Sequence, residues 1–134
     1  MKTIKVIVEW ASDGTISVMM ADEMFAGMGS TVEEAVADMK RGVEFYVETA
    51  KERGFSYKEY LDNGYEIELE YDAVSMLKYA REYITNAKLA ELTGIPAQQL
   101  GRYANDRSMP RPAQRRKIVE ALSKFAAPLY AITL

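Results

Sequence analysis

Apolar residues recur at every second position at the start of the chain and at every third or fourth position soon afterwards. Ile4, Val6, Val8 and Trp10 alternate with Lys5 and Glu9, the spacing of a strand with one buried face, which Ile7 blurs slightly. Asp13-Gly14 supplies the positive-φ chemistry of a tight hairpin turn, and Ile16, Val18 and Met20 resume the alternation on a return strand. A third short strand is predicted around Met24 to Met28, diluted by Gly27 and Gly29. From Ser30 the period changes, and Val32, Ala35, Val36, Met39, Val43, Tyr46, Val47 and Ala50 fall on one helix face. Ser30 with Glu33, or Thr31 with Glu34, offers a capping box, and Arg53-Gly54 offers a stop. After the turn residues Asp62-Asn63-Gly64, Tyr65, Ile67, Leu69 and Tyr71 alternate with Glu66, Glu68 and Glu70 as a fourth strand. The first half reads β-β-β-α-β.

The second half is helical throughout. Met76, Leu77, Ala80, Tyr83 and Ile84 share one face of a helix from about Ala73, and a shorter helix runs from Thr85 or Asn86 through Leu89, Ala90 and Leu92. Gly94 is expected to close it in the left-handed conformation, with Ile95 dropping into the core and Pro96 in the first turn of the next helix. There Leu100 and Tyr103 continue the apolar stripe, while Gln98, Gln99 and Arg102 occupy the other side. Pro110 and Pro112 bracket a loop before a last helix with Ile118, Leu122 and Phe125 inward. The apolar end, Pro128 to Leu134, is expected to pack between protomers or across a two-fold, or else against its own domain, and Tyr130, Ile132 and Leu134 alternate as a strand would. The fold class is therefore α+β: a β-β-β-α-β domain over residues 1–72 and an all-α domain over 73–134 with an apolar tail.

Composition narrows the chemistry. With 134 residues, 49% apolar and 28% charged, the chain is long enough to bury roughly two thirds of its unfolded surface, and neither a disordered tail nor a membrane protein is expected. Met1-Lys2-Thr3 leads straight into the first strand rather than a signal peptide, which points to the cytoplasm. There is no cysteine and no histidine, so thiolate nucleophiles, disulfides, zinc-thiolate sites and imidazole bases are excluded. Ser12, Ser17 and Ser30 have no histidine to activate them, and Lys2 or Lys5 would need, as a nucleophilic amine, a burial that the flanking pattern does not show. Two-metal phosphoryl chemistry needs converging carboxylates, whereas Glu66, Glu68 and Glu70 share the outer face of one strand. No catalytic set, cofactor or metal is predicted. The net charge of −3 divides sharply: Met1 to Ser75 carries seven Lys/Arg against sixteen Asp/Glu, a balance of −9, and Met76 to Leu134 carries ten against four, a balance of +6. Two modules with different partners follow, because an acidic surface repels phosphate backbones and a basic one attracts them.

Two stretches resemble known families. The hairpin, then Met20-Ala21-Asp22-Glu23, then Phe25 to Ala35 with Gly29, Thr31, Glu34 and Ala35 in place, and then a long helix resemble the amino-terminal domain of HicB antitoxins over about Lys2 to Gly54. Ala21-Asp22-Glu23 stands where that family has Pro-Asp-Leu, and Phe25-Ala26 where it has Gly-Cys. The spacing Leu89-Ala90, Gly94-Ile95, Leu100, Tyr103 resembles the phage-repressor (Xre-type) helix-turn-helix, with Thr93 where the pattern has an apolar side chain and Leu92 expected to compensate.

The resemblances imply an antitoxin that binds and silences a small HicA-like RNA-cleaving toxin and represses its own operon, without catalysis of its own. An acidic module suits a basic RNA-binding partner, and the apolar pair Met24 and Phe25 near a turn is the candidate toxin contact. At the exposed start of the second helix of the turn, Ala97, Gln98, Gln99 and Arg102 are candidates to read base edges in double-stranded operator DNA: Gln pairs bidentately with adenine, Arg with guanine, and Ala97 offers a methyl-sized contact to thymine. Asn86 matches a position that resembles the family's phosphate-clamping amide, and Arg107, Arg111, Arg115, Arg116 and Lys117 form a cluster suited to phosphates. Reading two half-sites calls for a homodimer or a higher even oligomer. Two rival readings are a stand-alone regulator whose acidic domain senses a small molecule, and a metal-dependent nuclease using amino-terminal carboxylates.

Overall fold

The alternation at the amino terminus folds as a hairpin. Lys2–Trp10 (β1) pairs antiparallel with Ile16–Met20 (β2), setting Val6 opposite Met20, Val8 opposite Val18 and Trp10 opposite Ile16. The computed structural model describes every residue except Ser12, so that serine lies outside the described residues. The connection, residues 11–15, is longer than a two-residue turn. Gly14 adopts φ +89° and donates its N–H to the Ala11 carbonyl, and the Asp13 carboxylate accepts from the Thr15 N–H at 2.9 Å.

The third strand, Ala26–Gly29 (β3), starts two residues later than expected because Met24 lies in the preceding bend. Its glycines set a close approach: a Cβ on Gly27 would sit 2.2 Å from the Ala35 carbonyl oxygen and 2.4 Å from the Met39 nitrogen. Both atoms belong to Val32–Arg53 (α1), which packs on β2 and β3 and buries Ala35, Met39, Val43, Val47 and Ala50. Thr31 caps α1 by accepting from the Glu34 N–H, and the Glu34 carboxylate reaches past the cap to the Ser30 N–H at 2.8 Å. Gly54, at φ +70°, ends the helix. Tyr46, expected inward, is 45% exposed and sits edge-on to the Phe25 ring.

A four-residue helix that the sequence pattern does not reveal, Tyr60–Asn63 (α2), precedes Tyr65–Tyr71 (β4). β4 runs parallel to β1, with Ile4 opposite Ile67 and Val6 opposite Leu69, and the sheet order is β3-β2-β1-β4. Only the start of β4 is covered. Tyr65 and Ile67 pack on the core with Leu61, whereas Leu69 and Tyr71 are exposed because α1 packs on β2 and β3, toward the far edge of the sheet.

Carboxylates tie the α2 segment down. Glu23 accepts from the Lys58 ammonium and, at 2.8 Å, from the Tyr60 hydroxyl, and Asp62 accepts from Lys51 at 2.8 Å. Lys58, then Tyr60, hold the Glu23 carboxyl below its usual 4.5; burial and the Glu23 bond push the Tyr60 phenol up to about 12. A carboxyl whose pKa is lower folded than unfolded contributes stability above the unfolded value and loses it as pH falls through the folded one. Trp10, the chain's single tryptophan, packs on this core, so its fluorescence reports this unit. Glu23→Gln is expected to lower the urea midpoint of Trp10 fluorescence at pH 7, and the gap to wild type is expected to close as the pH falls through the lowered folded-state pKa of Glu23. A gap that stays constant as the pH is lowered below the usual carboxylate range would assign the effect to packing rather than charge.

The chain forms two compact units, Met1–Asp72 and Ala73–Leu134, and is mixed α+β, with one four-stranded sheet and six helices among the described residues. The second unit consists of Ala73–Ala80 (α3), Asn86–Thr93 (α4), Ala97–Ala104 (α5) and Pro112–Tyr130 (α6) around Leu77, Leu89, Ile95, Leu100, Tyr103 and Ile118. α3 is shorter than expected, and Tyr83 lies in the turn after it, exposed. Gly94 closes α4 at φ +74°, and Ile95 is buried. Pro96 is the cap preceding α5 rather than a residue of its first turn. Thr93 itself fills the buried position assigned to an apolar side chain: its hydroxyl donates to the Leu89 carbonyl at 2.7 Å and accepts from the Ile95 N–H at 3.1 Å. Leu92 does not compensate and is exposed. On α6, Ile118 is buried and Leu122 half-buried, but Phe125 is not inward. α6 continues through Pro128 to Tyr130, so Tyr130 ends a helix rather than beginning a strand, and residues 132–134 form no strand.

Candidate functional site

α5 is short and strongly two-sided. Leu100, Tyr103 and Ala104 are buried, whereas Gln98 and Arg102, one turn apart, are exposed and Ala97 and Gln99 are half-buried beside them. Gln98, Gln99 and Arg102 share an open concavity of about 510 Å³ with Pro96 and Ser108. Two forked amides and a guanidinium therefore face solvent from the first turns of a helix whose opposite side is fixed in the core.

Asn86 opens α4, whose cap is Thr85 accepting from the Lys88 N–H at 3.2 Å. The Arg81 Nε–H donates to Asn86 Oδ1 at 3.1 Å. A guanidinium only donates, so this bond fixes the amide oxygen inward and leaves the NH₂ group to donate at the positive end of the helix. Arg107, Arg111, Arg115 and Arg116 are all exposed, with Arg111 as the cap of α6 and Arg115 one turn further on. Neither these arginines nor Arg102 enters an ion pair among the described residues; the acidic Asp106 and Glu91 of the same unit are engaged by Lys78 and Lys88.

The α5–α6 loop carries the residue that sequence reasoning missed. Asp106 sits at φ +58°, uncommon for a residue with a side chain, and its carboxylate receives the largely buried Lys78 ammonium at 2.9 and 3.0 Å. This anchored turn brings Ser108 beside Arg102. A serine in a polar loop carries no periodic signal, and only the reversed turn at Asp106 places it here.

No protein-family model, curated protein or solved structure matches this chain.

In the first unit, Met24 is fully exposed, while Phe25 is half-buried against the core and edge-on to the Tyr46 ring. The broader feature is the sheet face away from α1. The alternation places Ile7, Met19 and Met28 there beside Glu66, Glu68 and Glu70, with Lys5 paired to Glu70 at 3.2 Å. Met19 and Met28 are exposed. Each stands singly between or after inward residues, so neither belongs to a stripe that periodicity could reveal. Among the described residues no group of three or more carboxylates is arranged to hold a metal ion, and no helix is long and apolar enough to cross a membrane.

Proposed function

We propose that the chain is an antitoxin and autorepressor of the HicB kind: the acidic unit neutralises a HicA-like RNA-cleaving toxin, and the basic unit is a helix-turn-helix that binds operator DNA without catalysis. The observation that carries this reading is the outer face of α5, where Gln98, Gln99 and Arg102 share one open concavity on a helix held from behind by Leu100 and Tyr103, in a unit whose exposed arginines enter no ion pair among the described residues. Forked donors and acceptors on a helix suit the edges of base pairs, and arginines without protein partners suit phosphates. In the first unit, an open sheet face that mixes methionines with a row of glutamates suits a basic protein surface better than a nucleic acid.

The second reading, a regulator with a ligand-sensing first unit, has one observation in its favour. A cleft of about 460 Å³ lies between α1 and the α2–β4 segment, lined by Val43, Val47 and Leu61 but also by Lys40, Glu44, Glu48, Lys51 and Asp62. Charges of both signs around an open cleft fit a small-molecule pocket poorly, because such pockets are predominantly apolar with few polar groups.

Co-expression separates the two. A basic product of the neighbouring small reading frame is expected to arrest growth alone and to be tolerated with this chain, co-purifying as one species. Arrest unrelieved by this chain, with no co-purification, would sink the antitoxin reading and leave the regulator.

A further inference from the structure

The second unit leaves one apolar region uncovered. Met76, Tyr79, Tyr83, Leu122, Phe125 and Leu129 line a groove of about 400 Å³ between α3, the turn after it and α6, and no charged side chain lines it. Immediately beyond the groove, α6 ends in Tyr130, followed by Ile132; these are 91% and 80% exposed. Tyr79, Tyr83, Phe125 and Leu129 are also open to solvent. Those six side chains together expose roughly 800 Å², taking ~200 Å² for each fully exposed large apolar side chain. That exceeds the patch of roughly 300–600 Å² typical of a monomer and equals the roughly 800 Å² that each partner contributes to a standard stable interface.

We propose that this surface is the self-association interface of the chain, with the end of α6 from a second copy seated in the groove and the reciprocal contact made across a two-fold. The two halves of a self-complementary contact are present in one copy: a hollow walled by Tyr79, Tyr83 and Phe125, and an apolar ridge of Leu129, Tyr130 and Ile132 beside it. An isologous interface requires this combination. Tyr, Phe and Met at its centre and the absence of charge from its lining match the composition of interface cores. A nucleic acid would find no cation there. The interface stands on this surface alone; its consequence, two α5 helices presented to two half-sites, rests on the helix-turn-helix reading.

The test uses the full chain in sedimentation velocity. Wild type is expected at twice the chain mass, and Tyr83→Glu and Leu129→Glu, at positions exposed in a single copy, are each expected to raise the dimer Kd at least a hundredfold with an unchanged circular dichroism spectrum. Because the chain has no cysteine, single-cysteine variants give a second measurement. Mixing Tyr83→Cys with Leu129→Cys is expected to yield an oxidised hetero-dimer, and mixing Lys88→Cys with Leu129→Cys is not. Should either glutamate variant misfold, this cross-link alone decides. A wild-type chain that stays single at 100 μM overturns the proposal, as does a dimer indifferent to both glutamates or cross-linked equally through Lys88→Cys. Duplex binding is scored separately: a dimer lost in these variants but binding no DNA retains the interface and removes the helix-turn-helix reading.

Discussion

Gly27→Ala is expected to cost the first unit at least ~3 kcal/mol, while the chemically identical change at Gly42 is expected to stabilise it by about 0.5–1 kcal/mol. The added methyl at Gly27 meets backbone on both sides, the Ala35 carbonyl at 2.2 Å and the Met39 nitrogen at 2.4 Å, so no rotamer change relieves it. β3 must move off α1, which opens the core beneath Val18, its Gly27-paired neighbour on β2. Gly42 lies on the exposed side of α1, and nothing stands within 4 Å of the place a methyl would take, so alanine there only reduces the freedom of the unfolded chain. For a domain of this size, 3 kcal/mol corresponds to roughly 12–24 °C in Tm. Thermal melts followed by Trp10 fluorescence read the first unit directly. A Gly27→Ala melt within a few degrees of wild type would show that β3 is not held against α1 as described.

The same glycine explains part of what the sequence conceals. In an alternating pattern it reads as a gap in a weak strand, yet here it is the contact that lets a helix approach the sheet. β1, β2 and α1 are legible because their apolar periods extend over several turns or pairs and most inward residues are covered by the same unit. α2, Tyr60–Asn63, is one turn long and shows no period at all. Leu69 and Phe125 belong to regular stripes that predict them inward, but a period reports which residues share a face, not how far the covering element reaches. α1 does not extend over the far half of β4, and α3 leaves an open groove beside the last turns of α6, so both stripes run out into solvent. On α5 the split between core and open face is legible from Leu100 and Tyr103, whereas Ser108 is not, because a left-handed aspartate pinned by a buried lysine is a tertiary event.

Arg102→Ala is expected to weaken operator binding by roughly 30- to 10⁴-fold. A bidentate base contact is worth about 1–3 kcal/mol, and a two-fold complex loses it twice. Arg102→Lys separates the causes: it keeps the charge and loses the planar fork, so it is expected to lose sequence preference while retaining most affinity for an unrelated duplex. The phosphate contacts behave differently. Arg115→Ala with Arg116→Ala removes exposed charges that have no acidic partner among the described residues, and is expected to weaken every duplex alike. If all four guanidiniums of a two-copy complex touch phosphates, the slope of log K against log salt falls by about 3 to 4, since each contact contributes about 0.9. Footprinting on the duplex upstream of the chain's own reading frame, at several salt concentrations, measures all three variants. Growth rescue against the toxin is expected to survive in each of them, because none alters the acidic unit. Full operator affinity in Arg102→Ala would exclude α5 as the reader. An unchanged salt slope in the double variant would move the phosphate surface away from α6, and loss of rescue together with loss of DNA binding would mean that the two activities do not divide between the two units.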